Sequence, residues 1–440
     1  MILQEKAIDF NLLHISSEQQ LAEKISSKIP ALYLSSQTST VLPLEKFSNI
    51  EQVISVVNLP KKMKVDIESM SVEVHGPVTW GEVEQELASL NLILPSAPTA
   101  KTATILAGLA TSCTGETSFH FGTLRECIDW IEFIDCEGKK RKFSSQSTEV
   151  LASLENFLPY FETQKAYASF KNGPFPKFIK DTDLLIGTEG QLGVITGACF
   201  KVHPKPIAHY VLIPTGDWKA DASELLSERK RLLEFRDKIF SLEFFDKSCL
   251  SLIPDAPLKQ SDYIAVEIQE DDIELVFDIH DEGLAILEST KWHDLREQIP
   301  IQINETLASR SIIKKGTDVQ ASEENFEDLL GFYRNFTNQV KENYLFGHLG
   351  DRHLHFNFLP HKGEVELVDN LLKNFYHDLA TFGGYSPFAE HGIGLLKQEF
   401  IHNFWYDSQY ELFKELKDRF DPDRIFFPSG FMNKKGSPAE

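Results

Sequence analysis

Between Gly347 and Asn357 the sequence reads Gly-His-Leu-Gly-Asp-Arg-His-Leu-His-Phe-Asn, with histidines at 348, 353 and 355. The alternation from Leu354 to Phe358 predicts a strand, which puts His353, His355 and Asn357 on one face. His348 precedes that strand across a Gly350-Asp351 turn, from which it folds back beside His355. Neutral imidazole is the commonest protein ligand for divalent transition metals, and two such rings need a third ligand from elsewhere. The segment Ser386-Pro387-Phe388-Ala389-Glu390-His391-Gly392-Ile393-Gly394 offers one. Its proline and glycines mark a bend, on which Glu390 completes a two-histidine, one-carboxylate set with positions left for substrate oxygens. His391 then stands where an imidazole base is useful. Plainer readings exist for each residue taken alone. Fourteen histidines include close pairs by chance, His353 reads as a pocket-lining or surface residue, and Glu390 as a turn carboxylate.

Helices and strands alternate along the chain that must position these groups. Ser48 with Glu51 reads as a capping box opening a helix with Ile50, Val53, Ile54 and Val57 on one face. Val65 and Ile67, then Val72 and Val74, alternate as half-buried strands do. A second capping box, Thr79 with Glu82, opens a helix with Val83, Leu87 and Leu90 inward. Pro204 and Pro206 break the chain at 202–206 and mark a linker. Beyond it come strand-like runs at 209–213 and 263–268. A helix follows Ser322 with Phe326, Leu329, Leu330 and Tyr333 on its face, and residues 365–420 are mainly helical.

The chain has 440 residues, enough for two or three domains, with 42% apolar and 25% charged residues. Its formal net charge is -22, which disfavours nucleic acid and anionic membrane surfaces as partners. Five scattered cysteines, Cys113, Cys127, Cys136, Cys199 and Cys249, form no C-x-x-C pair and point to a reducing compartment. No apolar run reaches the roughly 20 residues of a membrane span, and the first residues lack a signal-peptide pattern. The expectation is a cytoplasmic protein with no transmembrane segment.

These motifs are similar to those of a known family, the FAD-linked oxidases that include D-lactate, D-2-hydroxyglutarate and glycolate dehydrogenases. GHLGDRHLHFN resembles the family's GHxGDGNxHxN, and SPFAEHGIG its SxSAEHGxG. Trp292 to Glu297 resembles a W-x-x-R-E segment, and Leu185 to Thr196 the LxxGSEGTLGIIT segment that lies against the flavin. Thr104 to Gly115 resembles TIGGNIATNAGG, and Phe121-Gly122-Thr123 a YGT that follows it. The resemblance implies an α+β fold in three parts. Residues 1–205 would be an FAD-binding domain of the vanillyl-alcohol-oxidase (PCMH) type. Residues 206–360 would be a substrate-capping domain with an antiparallel sheet, and 361–440 a helical segment returning to the first part. It also implies His348, His355 and Glu390 as ligands of Zn, Mn or Fe, His391 as general base, Arg296 as clamp on the substrate carboxylate and Asn357 as a polar substrate contact. Thr104, Ile105, Gly108, Thr111, Gly122, Glu189, Gly193 and Ile195 fall on the cofactor-binding positions.

The departures concentrate on the cofactor. A glycine-rich segment of the RGGGTSLSG kind wraps the pyrophosphate in the family, whereas here Val56-Val57-Asn58-Leu59-Pro60 runs straight into Lys61-Lys62-Met63-Lys64. Those lysines read as a solvated cluster. Leu106-Ala107 replaces a glycine pair, and Arg352 and His353 replace glycine and asparagine in the metal motif. Two functions follow as expectations. One is FAD-dependent, metal-assisted oxidation of a D-2-hydroxy acid such as D-lactate to the 2-oxo acid. The other is a flavin-free homologue, either a partner subunit to a flavin-bearing or electron-transfer protein or a metal- and carboxylate-binding protein.

Overall fold

The structure is a computed structural model that describes residues 11–36, 38–39, 41–43, 52–253, 260–279 and 283–433. Three short parallel strands open it, in the spatial order Asn11–His14, Gln52–Ser55, Leu32–Leu34. Val53 and Ile54, expected on a helix, lie in the central strand of this sheet; Ser48, Ile50 and Glu51 fall outside the described residues. The β-branched pair is fully buried because a central parallel strand is covered on both faces, and that context outweighs a helical spacing.

A five-stranded antiparallel sheet follows, in the order Lys62–Asp66, Ser71–His75, Val194–Lys201, Ile128–Ile134, Lys140–Ser144. Residues 56–61 form a tight turn into it, closed by Leu59 N–H to the Val56 carbonyl. Lys61 pairs with Glu82 at 2.7 Å on the surface. The loop that reaches the next layer is instead the one after Leu34. The Ser35 hydroxyl accepts from Thr104 Oγ1 at 2.9 Å and that of Ser36 from Thr104 N–H at 3.3 Å. Ile67 lies one residue beyond its strand and is exposed. The Thr79–Glu82 capping box is present on the Trp80–Ala88 helix, with Val83 and Leu87 buried. Leu90 lies past the helix end and is 37% exposed, so the inward stripe stops a turn earlier than its spacing suggested. The prolines at 204 and 206 do not leave a free linker: His203–Pro204 pairs with Leu92–Ile93, an edge position where a missing N–H is tolerated.

The large sheet has nine strands. Its spatial order is Ala285–Leu287, Ala208–Pro214, Tyr263–Gln269, Ile239–Phe245, Asn343–His348, His353–Phe358, Val319–Ala321 and Tyr385–Ser386, with Lys315–Gly316 also against His353–Phe358. Residues 326–337 form the helix expected after Ser322, and its Phe326, Leu329, Leu330 and Tyr333 are buried. The turn of the histidine hairpin carries Arg352 at φ +58°, the left-handed conformation that a glycine adopts freely. Arg352 Nε donates to the Ala321 carbonyl at 2.9 Å and its Nη1 to Glu323 at 3.2 Å, which offsets the strain of a side chain there.

The helices Val365–Phe382 and Asp407–Phe420 follow, and the second packs back on the first part of the chain. Glu415 accepts the backbone N–H groups of Glu155 and Asn156, and Trp405 Nε1 donates to the Pro174 carbonyl. Lys417, fully buried, donates to the carbonyls of Gln191 and Phe426 and to Asp421 at 2.5 Å. Asp421 in turn accepts from the N–H groups of Ile425 and Phe426. Removing one partner of such a pair leaves a buried charge uncompensated. Lys417→Met is expected to lower the unfolding free energy by about 3–5 kcal/mol, read by chemical denaturation. Lys417→Met with Asp421→Asn should recover part of the loss.

Candidate active site

The hairpin brings its histidines together as expected. His348 stands opposite His353 and Phe346 opposite His355, and the His348 and His355 rings are 6.0 Å apart. All three histidines are buried. Glu390 reaches the pair from the bend after Tyr385–Ser386: its Oε2 lies 3.3 Å from His348 Nε2 and 3.5 Å from His355 Nε2. Two ligand atoms each about 2.1 Å from one ion and at a tetrahedral angle stand about 3.4 Å apart. The three donors therefore fit a divalent ion. Burial alone would raise the Glu390 carboxyl, but hydrogen bonding from His348 and His355 outweighs it and holds the group well below the usual range.

His348 Nδ1 is bonded to Glu243 Oε1 at 2.6 Å, the carboxylate–histidine arrangement that fixes the tautomer and leaves Nε2 as ligand atom. Glu243 comes from the strand Ile239–Phe245, where it is a lone acid in an apolar run. That placement was its only sequence signal. His353 is fully buried rather than at the surface. Its Nε2 is bonded to Asp318 at 2.9 Å, while Nδ1 has no partner among the described residues. It groups with His348, His355 and Glu390 at metal-ligand spacing.

Asp318, unmarked in the sequence, anchors the other side. It accepts from the backbone N–H of Glu390 and His391 and from Lys397 Nζ. His391 Nδ1 lies 3.8 Å from Asp318 Oδ2, and its ring stacks on His355 at 5.0 Å. Burial, with the charges of Lys314 and His355 adding to it, lowers the His391 pKa to about 3, against an opposing pull from Asp318. The imidazole is therefore neutral at physiological pH, as a proton acceptor must be.

Arg296 lies beside this group, with its side chain 12% exposed. Its Nε lies 3.0 Å from Glu116 and 3.4 Å from Glu243, and Nη1 bonds Thr99 Oγ1. Arg296 is thereby linked to His348 through Glu243. Asn357 is buried, with Nδ2 donating to the His355 carbonyl at 3.2 Å.

The positions expected to hold a cofactor form one neighbourhood. Thr104 stands at the N-terminal boundary of the helix Ile105–Thr111, its hydroxyl turned to Ser35 rather than to the helix. The turn from 187 to 190 docks on that helix, with Gly187 N–H to the Leu109 carbonyl and Glu189 N–H to that of Ala110. Glu189 then receives the N–H groups of Ile393 and Gly394, which joins the turn to the bend carrying Glu390. A Cβ on Gly108 would stand 2.7 Å from Cys113 Sγ, and one on Gly193 2.7 Å from Phe133; both glycines serve close packing. Gly122 takes φ +82° at the end of the short helix Ser118–Phe121, and Ile195 lies in the strand Val194–Lys201. Leu106 is buried in the core. Among the described residues, Trp80 Nε1 beside Gly108, Ser55 Oγ in the strand against Leu34 and Thr196 Oγ1 in the strand Val194–Lys201 are buried without a hydrogen-bond partner. Orphaned groups of this kind are ones that a bound polar cofactor can satisfy.

A model of FAD linked oxidases, C-terminal domain, matches residues 238–429, and one of an FAD binding domain matches residues 17–144. The chain belongs to the FAD-linked oxidase family. Among relatives, it is 23% identical over 411 residues to "D-lactate dehydrogenase [cytochrome], mitochondrial" of Kluyveromyces lactis, covering 84% of this chain and 63% of that protein. It is 22% identical over 386 residues to a D-lactate dehydrogenase of Archaeoglobus fulgidus, with 85% and 80% covered. The match to a probable D-2-hydroxyglutarate dehydrogenase of Oryza sativa subsp. japonica is 24% over 277 residues, 56% and 47%. The chain thus spans about half to two thirds of the length of several relatives that it matches. An alkyldihydroxyacetonephosphate synthase structure superimposes with a TM-score of 0.65 at 14% identity, covering 94% of this chain and 76% of that one, which fixes the FAD-linked oxidase fold. Among the described residues no helix is long and apolar enough to cross a membrane.

Behind the family's histidines sits a second buried acid, Glu267, which accepts from Tyr210 Oη at 2.8 Å. Burial, with the nearby charges of Glu116 and Glu243, raises its pKa to about 7. A carboxyl whose folded pKa exceeds the unfolded one near 4.3 binds its proton more tightly in the fold, so its stabilisation is lost as pH rises through 7. Thermal melts should show that wild type loses more stability between pH 5 and pH 8 than Glu267→Gln does.

Proposed function

We propose that the protein oxidises a D-2-hydroxy acid to the 2-oxo acid. The observation that carries this reading is a metal-ligand set, His348, His355 and Glu390, stacked directly against a neutral imidazole, His391. His348, His355 and Glu390 would hold a divalent ion, which would supply Lewis-acid polarisation of substrate oxygens, and the Ile105–Thr111 helix and the 187–193 turn would hold FAD, which would supply the redox capacity. The chain's own part is proton management and positioning. His391, with Nδ1 turned toward Asp318, presents Nε2 to take the hydroxyl proton. Asp318 holds the backbone of Glu390 and His391, so ligand and base move together. Glu243 keeps His348 in the ligating tautomer, and Arg296 neutralises Glu243. We assign residues up to about 205 to the flavin side, 206–360 to the cap and the rest to the returning segment.

His391→Ala is expected to leave bound metal unchanged while lowering turnover on D-2-hydroxy acids by about 10²–10⁴-fold. Glu390→Ala should lose the metal itself, by elemental analysis of the purified protein. Wild-type turnover in His391→Ala would refute the base assignment. A protein without flavin absorbance that takes up no added FAD would refute the oxidation.

A further inference from the structure

His353 holds Asp318 with one ring nitrogen and nothing with the other. The hairpin sets His348 opposite His353, and His355 lies two residues further along the strand, so all three rings leave the same face of the pair. Ring centroids are 5.3 Å apart for His348 and His353 and 4.5 Å apart for His353 and His355. The side chain of His353 is fully buried.

The environment fixes its tautomer. Nε2 lies 2.9 Å from Asp318 Oδ1. Asp318 also accepts from Lys397 Nζ and from the backbone N–H groups of Glu390 and His391. It is a carboxylate ringed by donors, so the ring hydrogen of His353 sits on Nε2 and faces it. Nδ1 is left with a lone pair and, among the described residues, has no hydrogen-bond partner. A buried acceptor in that state is costly unless a donor or a cation meets it.

His348 shows the same arrangement with the nitrogens exchanged. Glu243 holds its Nδ1, and Nε2 is left for the ligand set. His353 forms with His348, His355 and Glu390 a group whose ligand atoms, one from each residue, all lie within 4.8 Å of one another. That limit is little beyond the about 4.2 Å between two ligands on opposite sides of one ion.

We infer that His353 is a fourth metal ligand, through Nδ1, so that the ion is held by three imidazoles and one carboxylate. The inference rests on the ligand set of the function proposed above and deepens it, because four protein donors decide which ion leaves room for a substrate. Zinc prefers four ligands and is closed by this set. Manganese(II) and iron(II) accept more and keep positions for substrate oxygens. The site is thereby one for manganese or iron.

The test uses cobalt(II) alone as probe and needs no turnover. Full-length protein is stripped with a chelator, shown by its melting curve to be folded, and loaded with cobalt(II). Hyperfine-shifted imidazole N–H protons are then counted by proton NMR, each coordinated histidine contributing one. Wild type should show three and His353→Asn two. Calorimetric titration should find cobalt(II) bound by folded His353→Asn more than about 100-fold more weakly than by wild type, beyond what loss of an outer hydrogen-bond partner costs. The count on wild type stands whether or not the variant folds. Two shifted protons in wild type, with His353→Asn binding within about threefold, overturn the fourth ligand and leave the three-ligand set and the proposed oxidation standing. Folded wild type that takes up no cobalt(II) overturns the ligand set, and the proposed function and this inference with it.

Discussion

Asp318 holds the site together because it is one buried carboxylate answering four donors from three parts of the chain. It receives His353 from the histidine hairpin, the N–H groups of Glu390 and His391 from the bend, and Lys397 from the segment beyond. Burial opposes its ionisation, but the charge of Lys397 and the facing histidines hold it well below the usual carboxylate range. A charged group with its hydrogen bonds fully used is rigid, since any displacement strands a charge in a low-dielectric interior. The bend carrying Glu390 and His391 has no secondary structure to fix it. Its shape is borrowed from Asp318.

A second network, built on Glu243, works from the other side. Glu243 joins His348 to Arg296, and Arg296 joins Glu116 on the flavin-side loop. The two networks differ in sign. The Arg296 side gathers carboxylates around one cation, whereas on the Asp318 side Lys397 and His353 gather around one carboxylate.

The hairpin, the bend and the Thr79 capping box were legible because each is local. Alternation, a glycine-proline turn and a cap are set within ten residues. The Val53–Ile54 helix expectation failed because a parallel strand with both faces covered shows no period of two. Leu90 failed because a helix end is decided by what it packs on. Glu243 and Asp318 were illegible for a related reason: their partners are 105 and 35 residues away, and one acid in a strand has no pattern to read. Arg296 shows the reverse case. Its motif was visible, yet only the structure reveals Glu116 and Glu243 already on it.

The clasp of Glu189 on Ile393 and Gly394 has a further consequence for how the molecule is made. The acceptor is present by residue 189, but its two amides arrive about two hundred residues later. The helix that packs on residues 155–191 comes after those amides. Contacts of such long sequence separation raise the contact order, which slows folding. The cover over the 155–191 stretch and the clasp on Glu189 are built from residues 393–417, near the end of the chain.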